Sequence, residues 1–120
     1  MFTEVASKGI ASIYVSNHGG RQLDGAMSSI TALPAIVDAV GDRAEVWMDG
    51  GIRSGQDVLR AIALGAKGTL IGRAFLYGLG AKGQAGVRQT LEIIHRELDL
   101  TLGLCGQSDL AKVDKSILLK

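Results

Sequence analysis

The stretch EVWMDGGIRSGQDVLRAIALG, residues 45 to 65, decides the fold. It opens on EVWMD (45–49), a short apolar run with a β-branched and an aromatic residue, which reads as a strand buried on both faces of a sheet. A glycine-rich polar turn follows. Residues 56–64 then repeat apolar positions at helical spacing through Val58, Leu59 and Ile62, and Gly65 stands where a helix closes. Strand, glycine turn and helix, in that order, make half of a β-α-β unit.

The same order recurs on either side. SIYVS (12–16) reads as a strand, followed by a polar turn and a helix over 31–40 that carries Leu33, Ile36, Val37 and Val40. Thr31 is the expected cap of that helix, and Pro34 sits early enough to be tolerated. TLIG (69–72) reads as a third buried strand. A further helix is expected from about residue 84 to 102 through Val87, Leu91, Ile94 and Leu98, and 74–78 suits a short extra helix ahead of it. Residues 108–119 read as a short helix and an extended end, and residues 2–8 as the last turns of a helix entering the first strand. Strands joined this way form a parallel sheet under helical cover, through right-handed crossovers. Three strands cannot close an eight-stranded barrel, which takes about 250 residues. The rhythm alone suits equally the closing third of such a barrel and a small open α/β sheet.

The bulk properties narrow the class. With 120 residues and 47% apolar content, the chain can bury one core and is not a disordered tail. Thirteen basic and twelve acidic residues nearly cancel, which gives no footprint for nucleic acid. The single cysteine, Cys105, has no internal disulfide partner. It reads as a buried spectator in a reducing compartment. No apolar run approaches the length of a spanning helix, and no leader pattern opens the chain, so the expected location is cytoplasmic, with peripheral membrane contact left open. Two histidines far apart and one cysteine do not make a metal site. His95, beside Arg96 and Glu97, reads as a helix-surface residue, and Trp47 and Tyr77 as packing residues.

Every polar cluster follows a strand. In a barrel that places them all on one rim, where active sites form. DGGIRSG (49–55) and Gly72-Arg73 offer glycine-freed backbone amides and the guanidinium groups of Arg53 and Arg73, which together suit a phosphate. The competing reading of both arginines is structural ion pairing. Asp49, ending a buried strand, serves either ligand hydroxyls or the amides of its own turn. VSNHGGRQLDG (15–25) adds His18, an imidazole able to accept a proton, and Arg21, a fork for a carboxylate. A base beside a carboxylate clamp suits proton removal from a small acid. Asp24 reads as a tether for its loop or a partner of a nearby arginine, not as the partner of the base. Gly78-Leu-Gly80-Ala-Lys-Gly83 matches neither the dinucleotide nor the Walker spacing.

Taken together, SNHGGRQLDG (16–25), DGGIRSGQDVLRAIALGAKG (49–68), IGRAFLYGL (71–79) and GQAGVRQTLEIIHREL (83–98) resemble the FMN-dependent 2-hydroxy acid dehydrogenases and oxidases. That family includes flavin-type L-lactate dehydrogenase, glycolate oxidase and mandelate dehydrogenase. The second and third segments by themselves also resemble other phosphate-binding barrels, such as inosine monophosphate dehydrogenase and the flavin-dependent isoprenoid isomerase. The resemblance implies a partial domain over residues 1–120: barrel strands six to eight with their closing helices, the C-terminal part of a TIM (β/α)8 barrel. It implies FMN as cofactor and oxidation of a small (S)-2-hydroxy acid to the 2-oxo acid. It casts His18 as proton acceptor and Arg21 as ligand of the substrate carboxylate. It sets Asp49, Gly50, Gly51, Arg53, Gly72 and Arg73 around the ribityl chain and phosphate of FMN. Family members are often tetramers, so a homo-oligomer is expected. The family's flavin-facing lysine, substrate-facing tyrosines and histidine-supporting aspartate belong to earlier strands without counterpart here. The 120-residue chain by itself is therefore expected to be inactive, either a partial record of the enzyme or a non-catalytic fragment that associates with itself.

Overall fold

The structure, a computed structural model, describes residues 9–118. The helix expected over 2–8 lies outside them. Three parallel strands, β1 (Ser12–Val15), β2 (Glu45–Met48) and β3 (Gly68–Thr69), stand in the order β1-β2-β3. Ser12 is in register with Glu45, Val15 with Met48, and Met48 with Thr69. Helix α1 (Ser29–Val40) joins the first pair and α2 (Gly55–Ala63) the second, and α3 (Arg73–Leu104) leaves the third strand. This is an unclosed arc of a (β/α) barrel.

The side-chain alternation of the strands explains the layering. Val15, Val46 and Met48 point to one face, where they pack with Leu33, Ile36 and Val40 of α1 and Ala61 of α2. Leu33, Val40 and Met48 are fully enclosed. A second, smaller cluster joins Leu59 and Ala63 of α2 to Val113, with Leu98 and Leu102 of α3 against it.

The opposite face corrects one expectation. The strands are not buried on both sides, because no described element covers Ser12, Tyr14 and Trp47. Tyr14 is 60% exposed. Its ring stands 6.4 Å from that of Trp47, which leans over Gly68 and donates Nε1–H to Glu45 Oε2 at 3.1 Å.

Other differences are local. Helix α1 begins earlier than expected, with Ser28 as N-cap and Thr31 at the third helical position; their hydroxyls meet at 2.6 Å. Pro34 lies inside this helix, and the helix runs through it. The third strand is Gly68–Thr69 rather than 69–72. The short helix and the long one are both contained in α3, which breaks at Lys82 and Gly83, where the backbone is not helical. The two limbs then touch backbone to backbone: a Cβ on Gly78 would sit 2.4 Å from the Gly86 carbonyl, and one on Gly86 would sit 1.9 Å from that of Gly78. The glycine-rich stretch that fits no nucleotide pattern thus serves a helix crossing. The tail forms two 3-10 turns, Leu110–Lys112 and Lys115–Ile117, in place of a helix and an extended end. Cys105 is exposed, not buried, because it follows the last turn of α3 outside both clusters. Tyr77, at 71% exposure, is not a packing residue, whereas His95 lies on the helix surface as expected. Among the described residues no helix is long and apolar enough to cross a membrane.

Candidate active site

All three strands end on the same rim, and the loops that follow them enclose one open cavity of about 440 Å³. His18 and Arg21 line it from the loop after β1. Asp49, Gly50, Gly51 and Arg53 line it from the loop after β2, and Gly72 and Arg73 from the start of α3. Every residue selected from sequence as a site candidate is therefore in one place. Parallel strands produce this convergence, since each strand delivers its following loop to the same edge.

The loop after β1 is wired to itself. His18–Gly20 is a single 3-10 turn in which His18, Gly19 and Gly20 all take positive φ (57°, 67° and 71°). Among the described residues His18 is the only non-glycine in that region. Each amide of the turn is used locally. His18 N–H donates to Ser16 Oγ at 3.0 Å, Gly19 N–H to Asn17 Oδ1 at 3.0 Å, and Gly20 N–H to the Asn17 carbonyl at 3.0 Å. The His18 imidazole and the Arg21 guanidinium are exposed toward the cavity and have no partner among the described residues. Asp24 accepts the Gly25 amide at 3.0 Å, the loop tether rather than the arginine pair of its two expected roles.

The loop after β2 is built the other way. Gly50 and Gly51 also take positive φ (88° and 89°), but no acceptor among the described residues engages their amides. Gly50 needs its glycine twice over. Its φ disfavours a side chain, and a Cβ there would come within 2.9 Å of Ser29 Oγ and 3.2 Å of Asn17 Oδ1. One carboxylate oxygen of Asp49, Oδ1, is buried with no hydrogen-bond partner among the described residues. Asp49 thus does not spend that oxygen on its own turn, which removes one of its two sequence-level readings for that atom.

Two helices begin near the cavity, and only one offers its N-terminus. The start of α2 is sealed by a capping box: Asp57 Oδ2 accepts from the amides of Arg53 and Ser54, both at 3.1 Å, and Ser54 Oγ accepts from Asp57 N–H at 3.2 Å. Glu97, from the far limb of α3, takes the Gly55 amide at 3.0 Å. The start of α3 has Gly72 as N-cap and therefore no capping side chain, so its first amides and positive dipole end face the cavity. Arg73 reaches across to the first loop, its guanidinium 3.8 Å from where a Gly19 Cβ would lie. Neither Arg53 nor Arg73 forms an ion pair among the described residues, where the bridges are Arg60–Asp57, Lys112–Asp109 and Lys115–Asp38.

These features suit the polar part of FMN. An unpartnered buried carboxylate oxygen matches a hydroxyl donor, and open amides with two guanidinium groups match a phosphate. Asp49, Gly50, Gly51, Arg53, Gly72 and Arg73, which line the cavity together, could hold such a group. Among the described residues no cluster of three or more His, Cys, Asp or Glu side chains is arranged for a metal ion. Sequence reasoning did not single out Ser29, nor Gln22 and Leu76, which also line the cavity. Ser29 carried no signal because nothing local marks a helix-start serine as the contact point of two loops.

The family described as FMN-dependent dehydrogenase matches residues 2–120. An L-lactate dehydrogenase of Caulobacter vibrioides is 56% identical over 113 residues, covering 94% of this chain and 30% of that enzyme. A pre-mycofactocin synthase of Mycobacterium tuberculosis is 52% identical over 109 residues, covering 88% of this chain and 28% of that protein. The solved structure of mandelate oxidase with (S)-2-phenylpropionate superposes with a TM-score of 0.88 at 50% identity, covering 91% of this chain and 33% of that one. The chain thus spans only about 30% of the length of the curated relatives it matches.

Proposed function

This chain belongs to the FMN-dependent dehydrogenase family, and we propose that it carries the base, the carboxylate clamp and the flavin-phosphate cradle of an enzyme that oxidises a small (S)-2-hydroxy acid, such as L-lactate, to the 2-oxo acid. The observation that carries this reading is the cavity itself: a base and a free guanidinium on one wall, and open amides with an orphaned carboxylate oxygen on the other.

The chemistry divides between the walls. Arg21 neutralises the substrate carboxylate and fixes its orientation by two parallel hydrogen bonds. Oxidation of the alcohol releases two electrons and two protons, and an imidazole nitrogen of His18 accepts one of the protons. FMN, when bound, would accept the two electrons together with the second proton. Asp49 would take a ribityl hydroxyl, and Gly50, Gly51, Arg53, Gly72 and Arg73 would hold the rest of the ribityl chain and the phosphate. A cytoplasmic enzyme, with or without peripheral membrane contact, that assembles as a homo-oligomer belongs to the same proposal.

The uncovered sheet face supports a second statement. Tyr14 and Trp47 face no described layer, and β1 and β3 are edge strands among the described residues. The 120-residue chain alone is therefore expected to bind FMN weakly, to lack turnover and to associate with itself. Sedimentation velocity at rising concentration tests this; a monomer that binds FMN tightly would contradict it.

The main test restores the missing layer. The matching segment of the Caulobacter L-lactate dehydrogenase is replaced by this chain's sequence. The chimera is expected to copurify with flavin whose absorbance bleaches with L-lactate and not with inosine monophosphate. A chimera without flavin, or one unresponsive to any small 2-hydroxy acid, would contradict the proposal.

A further inference from the structure

We propose that Asn17 and Ser29 are positioning residues for the base, forming a latch that holds His18 in its left-handed conformation and ties it to the Gly50 turn. The inference rests on the reading of His18 as proton acceptor and extends it to two residues that touch neither substrate nor flavin in that reading.

His18 occupies a backbone region that side chains disfavour, so its surroundings must hold it there. Asn17 does so from three directions. Its amide donates to Ser29 Oγ at 3.3 Å, its Oδ1 accepts the Gly19 amide at 3.0 Å, and its Nδ2 donates to the Met27 carbonyl at 3.4 Å. Ser29 is the anchor. It is the one polar side chain buried among the described residues, at 3% exposure, at the first position of α1. Ser29 Oγ and Asn17 Oδ1 are also the two polar atoms that a Gly50 Cβ would strike, at 2.9 and 3.2 Å. The latch is thus the point where the turn bearing His18, the start of α1 and the turn after Asp49 rest on one another. A hydroxyl and a carboxamide fix the imidazole's backbone against the rigid helix, and a packed glycine fixes its distance from the flavin side.

Misplacing a reacting group by about an ångström can cost on the order of a hundredfold in rate. In the flavin-loaded chimera, Ser29→Ala and Asn17→Ala are expected to lower kcat by about ten- to hundredfold. KM for L-lactate, flavin content and melting temperature should stay close to those of the parent. Ser29→Thr keeps the acceptor hydroxyl and Asn17→Asp keeps the Oδ1 acceptor, so each should recover most of the loss. Alanine variants within twofold of the parent kcat would overturn the latch. So would a loss of turnover that merely follows loss of flavin and is not rescued by threonine or aspartate. His18→Ala in the same chimera separates the two readings. If it is inactive while Asn17→Ala is normal, only the latch fails; if it turns over normally, the base assignment fails and the latch has nothing to position.

Discussion

The loops after β1 and β2 read almost alike, Asn17-His18-Gly19-Gly20 and Met48-Asp49-Gly50-Gly51, and both bend through paired glycines at positive φ. They end in opposite states. In the first, the Ser16 and Asn17 side chains turn back and take the amides of His18 and Gly19. In the second, Asp49 keeps one buried oxygen without a donor, and the Gly50 and Gly51 amides are left open. A turn that satisfies itself holds a side chain still, whereas one that does not leaves its donors and acceptor open to a ligand. The lesson is that a glycine pair specifies the bend, and the acceptor just ahead of it decides whether the amides are available.

The largest effect should come from His18→Ala. It removes the proposed base and leaves the flavin wall intact, so turnover per bound flavin in the chimera should fall about 10²–10⁴-fold at unchanged flavin content. Parallel steady-state rates and flavin spectra check this, and loss of flavin with retained specific turnover would break the division between the loops. Arg53→Ala should do the converse. A charge-assisted hydrogen bond contributes about 1.5–3 kcal/mol, so FMN affinity should weaken about ten- to a hundredfold. Turnover at saturating FMN should stay within a few-fold of the parent, as titration of the stripped protein would show. Gly50→Ala sits where the two loops touch. Strain at a positive φ costs about 1–3 kcal/mol, so melting temperature, flavin affinity and turnover should fall together.

The smallest effect lies far from both loops. Asp114 accepts the Ser116 amide at 2.9 Å, and hydrogen bonds from the Ser116 side chain and backbone hold its carboxyl below the usual range. A depressed acid adds stability above its unfolded pKa, and that stability disappears as pH falls through the folded value. Asp114→Asn should therefore lower the melting temperature slightly at pH 6, and the gap to the parent should close on titration toward pH 3. A gap that widens on acidification would contradict the assignment.

Much of this was legible in the residues. The alternation of strand, glycine turn and helix set the parallel order, and the polar residues after each strand met in one cavity because parallel strands share a rim. What sequence could not supply depended on contacts distant in the chain. Glu97 seals the start of α2 from 42 positions away, so the amides of DGGIRSG looked more available than they are. The apolar runs of the strands gave an expectation of two covered faces, yet Tyr14 is 60% exposed, and nothing local to Tyr14 or Trp47 says that only one face is covered among the described residues. Ser28 and Thr31 are both good caps, and the choice between them lies in where α1 meets the sheet. Cys105 looked like a core residue by type, and its exposure follows from α3 extending past both clusters.

The most direct test of the central claim is a crystal structure of the flavin-loaded chimera. The account predicts the FMN phosphate within hydrogen-bonding distance of the Gly72 amide and at least one of Arg53 and Arg73, with a ribityl hydroxyl on Asp49 Oδ1 and the His18–Gly20 amides still bonded within their own turn. A phosphate seated on the His18–Gly20 turn, with Asp49 Oδ1 still unpartnered, would contradict it.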